Sequence, residues 1–210
     1  MDILSELNPE QRRAVQHDGG PLLILAGAGS GKTKTLTHRI AYLISQRGIF
    51  PSRILAVTFT NKAAREMRQR LADMLGEDAS DRRFMPWMGT FHSMCVRLLR
   101  IDGMSIGLGR NFIIYDEDDR LGLIKQLMKS RGLTGRRIAA AISAAKNDML
   151  SPDEYMMQAV GPVKQQMAEL FAAYEAAMHR AGALDFDDLL LEVTNLFEQH
   201  QEIRQKWQNR

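Results

Sequence analysis

At 210 residues, with 45% hydrophobic and 25% charged residues, the chain has ordinary globular composition and enough apolar content for one large domain or two small ones without covalent staples. Its single cysteine, Cys95, excludes an internal disulfide, and the five histidines (His17, His38, His92, His179 and His200) show no paired metal-ligand spacing, so no zinc site is expected. No apolar run is long enough to span a bilayer and Met1-Asp2 begins no signal segment, so a cytoplasmic protein is expected.

The net charge of +3 is unevenly divided: residues 1–110 carry 16 Lys and Arg against 10 Asp and Glu, and residues 111–210 carry 12 against 15. A polyanion partner for the first half and a merely solvated basic face both fit that asymmetry.

In chain order, Leu7-Asn8-Pro9-Glu10-Gln11 signals a helix start, with Asn8 suited to the N-cap, Pro9 to the first helical position and Gln11 to a capping box. The helix runs through Ala14-Val15 and breaks at Gly19-Gly20. Leu22-Leu23-Ile24-Leu25 is an apolar run of strand length, predicted to be a buried parallel strand. It leads into Ala26, Gly27, Ala28, Gly29, Ser30, Gly31, Lys32 and Thr33 and then a helical pattern, the order of a phosphate-binding loop. Gly27, Gly29 and Gly31 are expected at positive φ, turning backbone N–H groups onto an anion. Lys32 supplies a charge for the β- and γ-phosphates and the Thr33 hydroxyl a ligand for Mg²⁺. Ala26 stands where the strict pattern has glycine. The helix after the loop ends near Gly48.

Ile54–Thr58 is a second strand, and strand, helix, strand implies a right-handed parallel crossover with ligands at the carboxyl ends of the strands. Phe59, Thr60 and Asn61 follow that end and open a basic helix over 61–75; Phe59 stacking a base and Phe59 filling the core are both open, as is Thr60 acting only as an N-cap. A third short strand ends at Thr90, so Thr90, Phe91 and His92 emerge at the same rim. A boundary is expected near Arg110. Beyond it, Phe112–Tyr115 is at most a short strand, and helices are predicted over about 135–146, 152–160, 163–181 and 186–207, the last with a break near His200.

The ordered set LNPEQ (7–11), AGAGSGKT (26–33), AVTFTNKAA (56–64) and GTFHSMCVRLLR (89–100), with SAAKN (143–147) and LDFDDLL (184–190), resembles superfamily 1 DNA helicases of the PcrA/UvrD type over essentially the whole chain. The resemblance implies an α/β fold: an incomplete RecA-like P-loop NTPase sheet in 1–110, with an α-helical insertion subdomain in 111–210. It implies that Gln11 reads the adenine of ATP, that Lys32 and Thr33 hold phosphate and Mg²⁺, and that Lys34 lies near the nucleotide. Phe59, Thr60, Asn61, Thr90, Phe91 and His92 match single-stranded DNA contacts, and Lys146 matches a contact to duplex phosphates at a single/double-strand junction. The same resemblance implies a later strand ending in Asp-Glu, further arginines and a second motor domain, none of which occurs by Arg210. The expectation is therefore an N-terminal part of a 3′-to-5′ helicase of DNA repair or replication, holding half of each site and inactive alone. A small-molecule phosphotransferase and a non-enzymatic nucleic-acid-binding module are the alternatives.

Overall fold

The computed structural model describes residues 3–128 and 133–210, so Met1-Asp2 lie outside the described part. It is a mixed α/β chain with short parallel sheets, whose contacts group into Met1–Met94 with Arg210 as one unit and Cys95–Asn209 as a second. Among the described residues no helix is long and apolar enough to cross a membrane.

In the first unit, β1 (Ala56–Thr58) pairs in parallel with β2 (Met88–Thr90), in the register Ala56↔Met88, Val57↔Gly89, Thr58↔Thr90. Helix α3 (Asn61–Leu75) packs on the pair, α2 (Lys32–Ser45) on α3 and α1 (Pro9–Gln16) on α2, while α4 (Phe91–Asp102) follows β2 and continues into the second unit. Each start has a local cause. Asn8 and Gln11 form the capping box of α1, with Pro9 at the first position. The Thr60 hydroxyl accepts from the Ala63 N–H at the head of α3, which ends on left-handed Gly76. Thr90 and Ser93 exchange reciprocal backbone-to-hydroxyl bonds of 2.9 and 3.3 Å where α4 begins.

Two arginines join these elements. Arg39 of α2 donates to the carbonyls of Ala14, Val15 and His17 at 3.0–3.1 Å, satisfying the C-terminal end of α1. Arg68 of α3 donates to the carbonyls of Phe84, Met85 (2.8 Å) and Met88 (3.2 Å), holding the bend at left-handed Met85 that feeds β2. Ile40, Ala41, Ala56, Met67, Leu71, Met85 and Met88 make the core. At Gly89 an added methyl would lie 2.6 Å from Ser93 Oγ and 2.7 Å from Met94 Cε, so any larger residue would require those side chains to move where β2 approaches α4.

The strand expected at Leu22–Leu25 does not form. The segment is irregular, with Leu23 81% and Leu25 88% exposed, and among the described residues it makes no backbone ladder bond. A strand is stable only beside a partner, and the chain's other strands pair elsewhere. The second strand is likewise shorter than predicted, because Ile54 and Leu55 precede the paired residues.

The second unit is largely helical: α5 (Glu117–Leu127), α6 (Gly135–Asn147), α7 (Pro152–Met157), α8 (Pro162–Ala181), α9 (Phe186–Gln199) and α10 (Gln201–Gln208). The break expected near His200 separates α9 from α10, whereas α7 stops short of the predicted residue 160. Two residues of β3 (Ile113–Ile114) pair in parallel with β4 (Ala183–Leu184), a strand the sequence pattern did not announce. One core gathers Ile124, Ile138, Ile142, Phe171, Tyr174 and Met178; another gathers Leu99, Phe112, Leu189, Leu196 and Ile203.

These placements give opposite expectations for two leucines. In urea unfolding, Leu71→Ala should cost about 2–5 kcal/mol because Leu71 is fully buried. Leu25→Ser should stay within about 0.5 kcal/mol; a cost like that of Leu71→Ala would mean the 22–25 segment is packed.

Candidate functional site

The glycine-rich stretch 26–33 passes into α2 at its N-cap, Gly31, which has φ 85°. Gly29 is also left-handed (φ 76°), but Gly27, expected to be so, is not. Gly31 is doubly constrained: besides its φ, a methyl there would lie 2.7 Å from Gln11 Nε2. No side chain caps α2, so its leading N–H groups and the positive end of its dipole remain open at the loop.

Side chains of the loop bond back to its own carbonyls. Lys32 Nζ donates to the carbonyls of Ala26 (3.0 Å) and Gly27 (2.7 Å), and Ser30 Oγ donates to Gly27 O at 2.7 Å. Lys32 and Thr33 are exposed. Gln11 reaches the same loop from α1, its Nε2 donating to Ser30 O at 3.0 Å. Lys34 turns away from the loop, donating to Glu6 O at 2.9 Å and pairing with the Glu6 carboxylate at 3.2 Å.

The second cluster follows from strand register. Because Thr58 sits opposite Thr90 in a parallel pair, the residues after them leave the sheet side by side. Their rings lie 6.4 Å apart, tilted at 49°, with Phe59 94% and Phe91 49% exposed. Phe59 is therefore not core. Thr60 does cap α3, and Asn61 is exposed beside it, with Lys62, Arg65 and Arg70 exposed further along α3. Arg68, on the same helix, points inward to the carbonyls described above. His92 is half-buried in the first turn of α4.

Lys146, expected at duplex phosphates, lies in a buried cluster of carboxylates. It is 3% exposed, and its Nζ lies 2.5 Å from Asp188 Oδ1, 2.8 Å from Glu175 Oε1 and 2.9 Å from Asp185 Oδ2, with the Tyr174 ring 5.2 Å away. Asp185 and Asp188 accept hydrogen bonds from the ammonium group and Glu175 adds an ion pair, so Lys146 is withdrawn from solvent. The Tyr174 hydroxyl donates to Asp185 Oδ2 at 2.9 Å, and Arg120 adds bonds to Ala139 O and Ser143 Oγ, both at 2.8 Å. Asp185 and Asp188 also form the capping box of α9. Their three-residue spacing is legible as a helix start, but nothing local to Lys146 announces carboxylates some forty positions away.

Burial dominates the titration of this cluster. It pushes Asp188 up to about 7, against the pull of Lys146 and with the charges of Asp185 and Glu175 adding to it. For Asp185 burial acts upward too, but Lys146 and the Asp188 N–H outweigh it and hold the group below the usual carboxylate range. Burial would lower Lys146; the three carboxylates reverse that and raise it.

The family model of the UvrD/REP helicase N-terminal domain matches residues 7–210. The chain is 45% identical to the ATP-dependent DNA helicase PcrA of Bacillus subtilis (strain 168), 43% to that of Staphylococcus aureus (strain Mu50) and 44% to that of Staphylococcus epidermidis (strain RP62A), in each case over 99% of its own length. It spans only 28–29% of those relatives. The chain belongs to the UvrD/REP helicase family through this N-terminal domain.

Two consequences of the buried cluster are measurable. Lys146→Met strands three carboxylates and should cost about 3–5 kcal/mol in chemical unfolding; a cost under about 1 kcal/mol would mean the lysine is solvated. The sign of the pH dependence follows from the protons held. Between 3.8, its ordinary value, and about 7, Asp188 keeps a proton when folded that it releases when unfolded, so its contribution to stability falls as pH rises through that window. The depressed Asp185 acts oppositely, its contribution being lost as pH falls below its ordinary range. Melting temperatures of Asp188→Asn should therefore decline less between pH 4 and 7 than those of the parent chain; parallel profiles would contradict the assignment.

Proposed function

We propose that this chain is the nucleotide-binding and part of the DNA-tracking portion of an ATP-dependent 3′-to-5′ DNA helicase acting in DNA repair or replication in the cytoplasm. The observation that carries the reading is the aromatic pair Phe59 and Phe91, exposed at one rim by the register of β1 and β2, in the same unit as the glycine-rich loop. Exposed apolar rings at a strand rim are unfavourable in water, and base stacking relieves that exposure without sequence preference. Phe59 and Phe91 stack bases of a single strand, while Thr60, Asn61, Thr90 and His92 contact its backbone. Residues 1–110 form part of a RecA-like P-loop domain, and 111–210 a helical insertion.

The loop residues suit a nucleoside triphosphate. Gly29 and Gly31 are already left-handed, the N–H groups leading α2 lack a side-chain cap, and Lys32 is exposed and held only by carbonyls that phosphate oxygens outcompete. Ala26 through Thr33 hold the phosphates, Lys32 supplies charge, and Thr33 ligates Mg²⁺. Bound Mg²⁺ neutralises phosphate charge. Gln11, already bonded to the loop, reads the adenine; Lys34 reaches the nucleotide only by leaving Glu6. Lys146 holds the second unit together rather than touching DNA.

Supporting this over a small-molecule phosphotransferase is the exposed aromatic rim, and over a purely structural nucleic-acid module the intact loop. The chain spans 28–29% of its PcrA relatives, and these 210 residues alone should show nucleotide and DNA binding without sustained ATPase. Fluorescence anisotropy with an oligo(dT) strand should show binding weakened about fivefold to 100-fold by Phe59→Ala, with an affinity that falls as salt rises. Lys32→Ala should weaken ATP but not oligo(dT). Unaltered oligo(dT) affinity in Phe59→Ala and Phe91→Ala would overturn the DNA reading, and ATP affinity indifferent to Lys32→Ala would overturn the nucleotide reading.

A further inference from the structure

Gln11 takes part in two networks, and its amide has a fixed polarity because of both. Its Oε1 accepts the Asn8 backbone N–H at 3.2 Å, while its Nε2 donates to the Ser30 carbonyl at 3.0 Å. The Asn8 side chain accepts the Gln11 N–H at 2.9 Å, closing the capping box. Turning the amide end for end would set its NH₂ against the Asn8 N–H and its oxygen against the Ser30 carbonyl, losing both bonds and creating two like-polarity contacts. Of two lone pairs and two N–H bonds, one of each is then used. One acceptor and one donor remain.

That remainder has a chemical meaning for a purine. On its N7 edge a 6-amino purine offers a donor (the amino group) and an acceptor (N7), complementary to the remaining pair. A 6-oxo purine offers two acceptors, so an amide of fixed polarity sets its oxygen against O6. An amide free to turn could instead present its NH₂ to both.

We propose that Asn8 is a positioning residue for purine selection: its backbone N–H, together with the Ser30 carbonyl, fixes the orientation of the Gln11 amide so that the site distinguishes 6-amino from 6-oxo purine nucleotides. This rests on the reading that Gln11 contacts the base. It assigns selectivity to a helix-cap bond rather than to Gln11 alone.

Equilibrium binding of ATP and of inosine triphosphate (ITP) to the 210-residue chain tests it, the two nucleotides differing only at the 6-substituent and the N1 proton. Asn8 has φ −70°, which proline adopts without strain. Asn8→Pro and Asn8→Ala both remove the capping side chain, but only the proline removes the N–H. The ATP-to-ITP affinity ratio should stay near the parent value in Asn8→Ala and fall about fivefold in Asn8→Pro, the loss expected for one neutral hydrogen bond. Gln11→Ala should abolish the preference. If Asn8→Pro weakens both nucleotides equally, the ratio is untouched and the proposal fails, while the contact of Gln11 with the base survives. If Gln11→Ala keeps the parent ratio, or the parent binds neither nucleotide or both alike, the underlying reading fails as well. Should Asn8→Pro not fold, amide hydrogen exchange of the parent decides: at equal saturation ATP should slow exchange at Asn8 more than ITP, and equal slowing overturns the proposal.

Discussion

The in-register parallel pairing of Ala56–Thr58 with Met88–Thr90 is the constraint on which the first unit depends. It is only three residues long, too little to be stable unaided, and the surrounding contacts supply what it lacks. Arg68 satisfies the carbonyls of the bend before β2, Met67 and Leu71 cover one face, and Gly89 admits Ser93 and Met94. Register then determines position: with Thr58 opposite Thr90, Phe59 and Phe91 have to leave the sheet together, and α3 and α4 have to start there.

Helices were legible because their signals are local. Asn8 with Gln11, and Thr60, each mark an N-terminus in the sequence and cap one in the structure. Strands were less so, because a strand is a property of a pair. Leu22–Leu25 has the composition of a buried strand and remains exposed without a neighbour, whereas Ala183–Leu184 looks unremarkable and pairs with Ile113–Ile114. At the site, the order of residues in the loop predicted its left-handed glycines at 29 and 31 but not the ordinary φ of Gly27. Lys146 shows the deepest gap: its partners come from α8 and α9, and their proximity is tertiary.

Both candidate sites stand prepared in different ways. The loop is bonded to itself through Lys32 and Ser30 on the Gly27 carbonyl. The rim needs no rearrangement, since Phe59 is almost wholly in solvent. Gln11 joins helix cap and loop, so that a feature which on sequence is a capping residue becomes the link between α1 and the glycine-rich loop. The second unit contributes an interior in which a buried ammonium and three carboxylates join α6, α8 and α9.

The central claim is that single-stranded DNA stacks on the Phe59–Phe91 rim. Photocrosslinking of an oligonucleotide carrying 5-iodouracil to the 210-residue chain, followed by mass spectrometry of the adducts, tests it most directly. The account predicts adducts on Phe59 and Phe91; adducts confined to other segments, with neither phenylalanine modified, would contradict it.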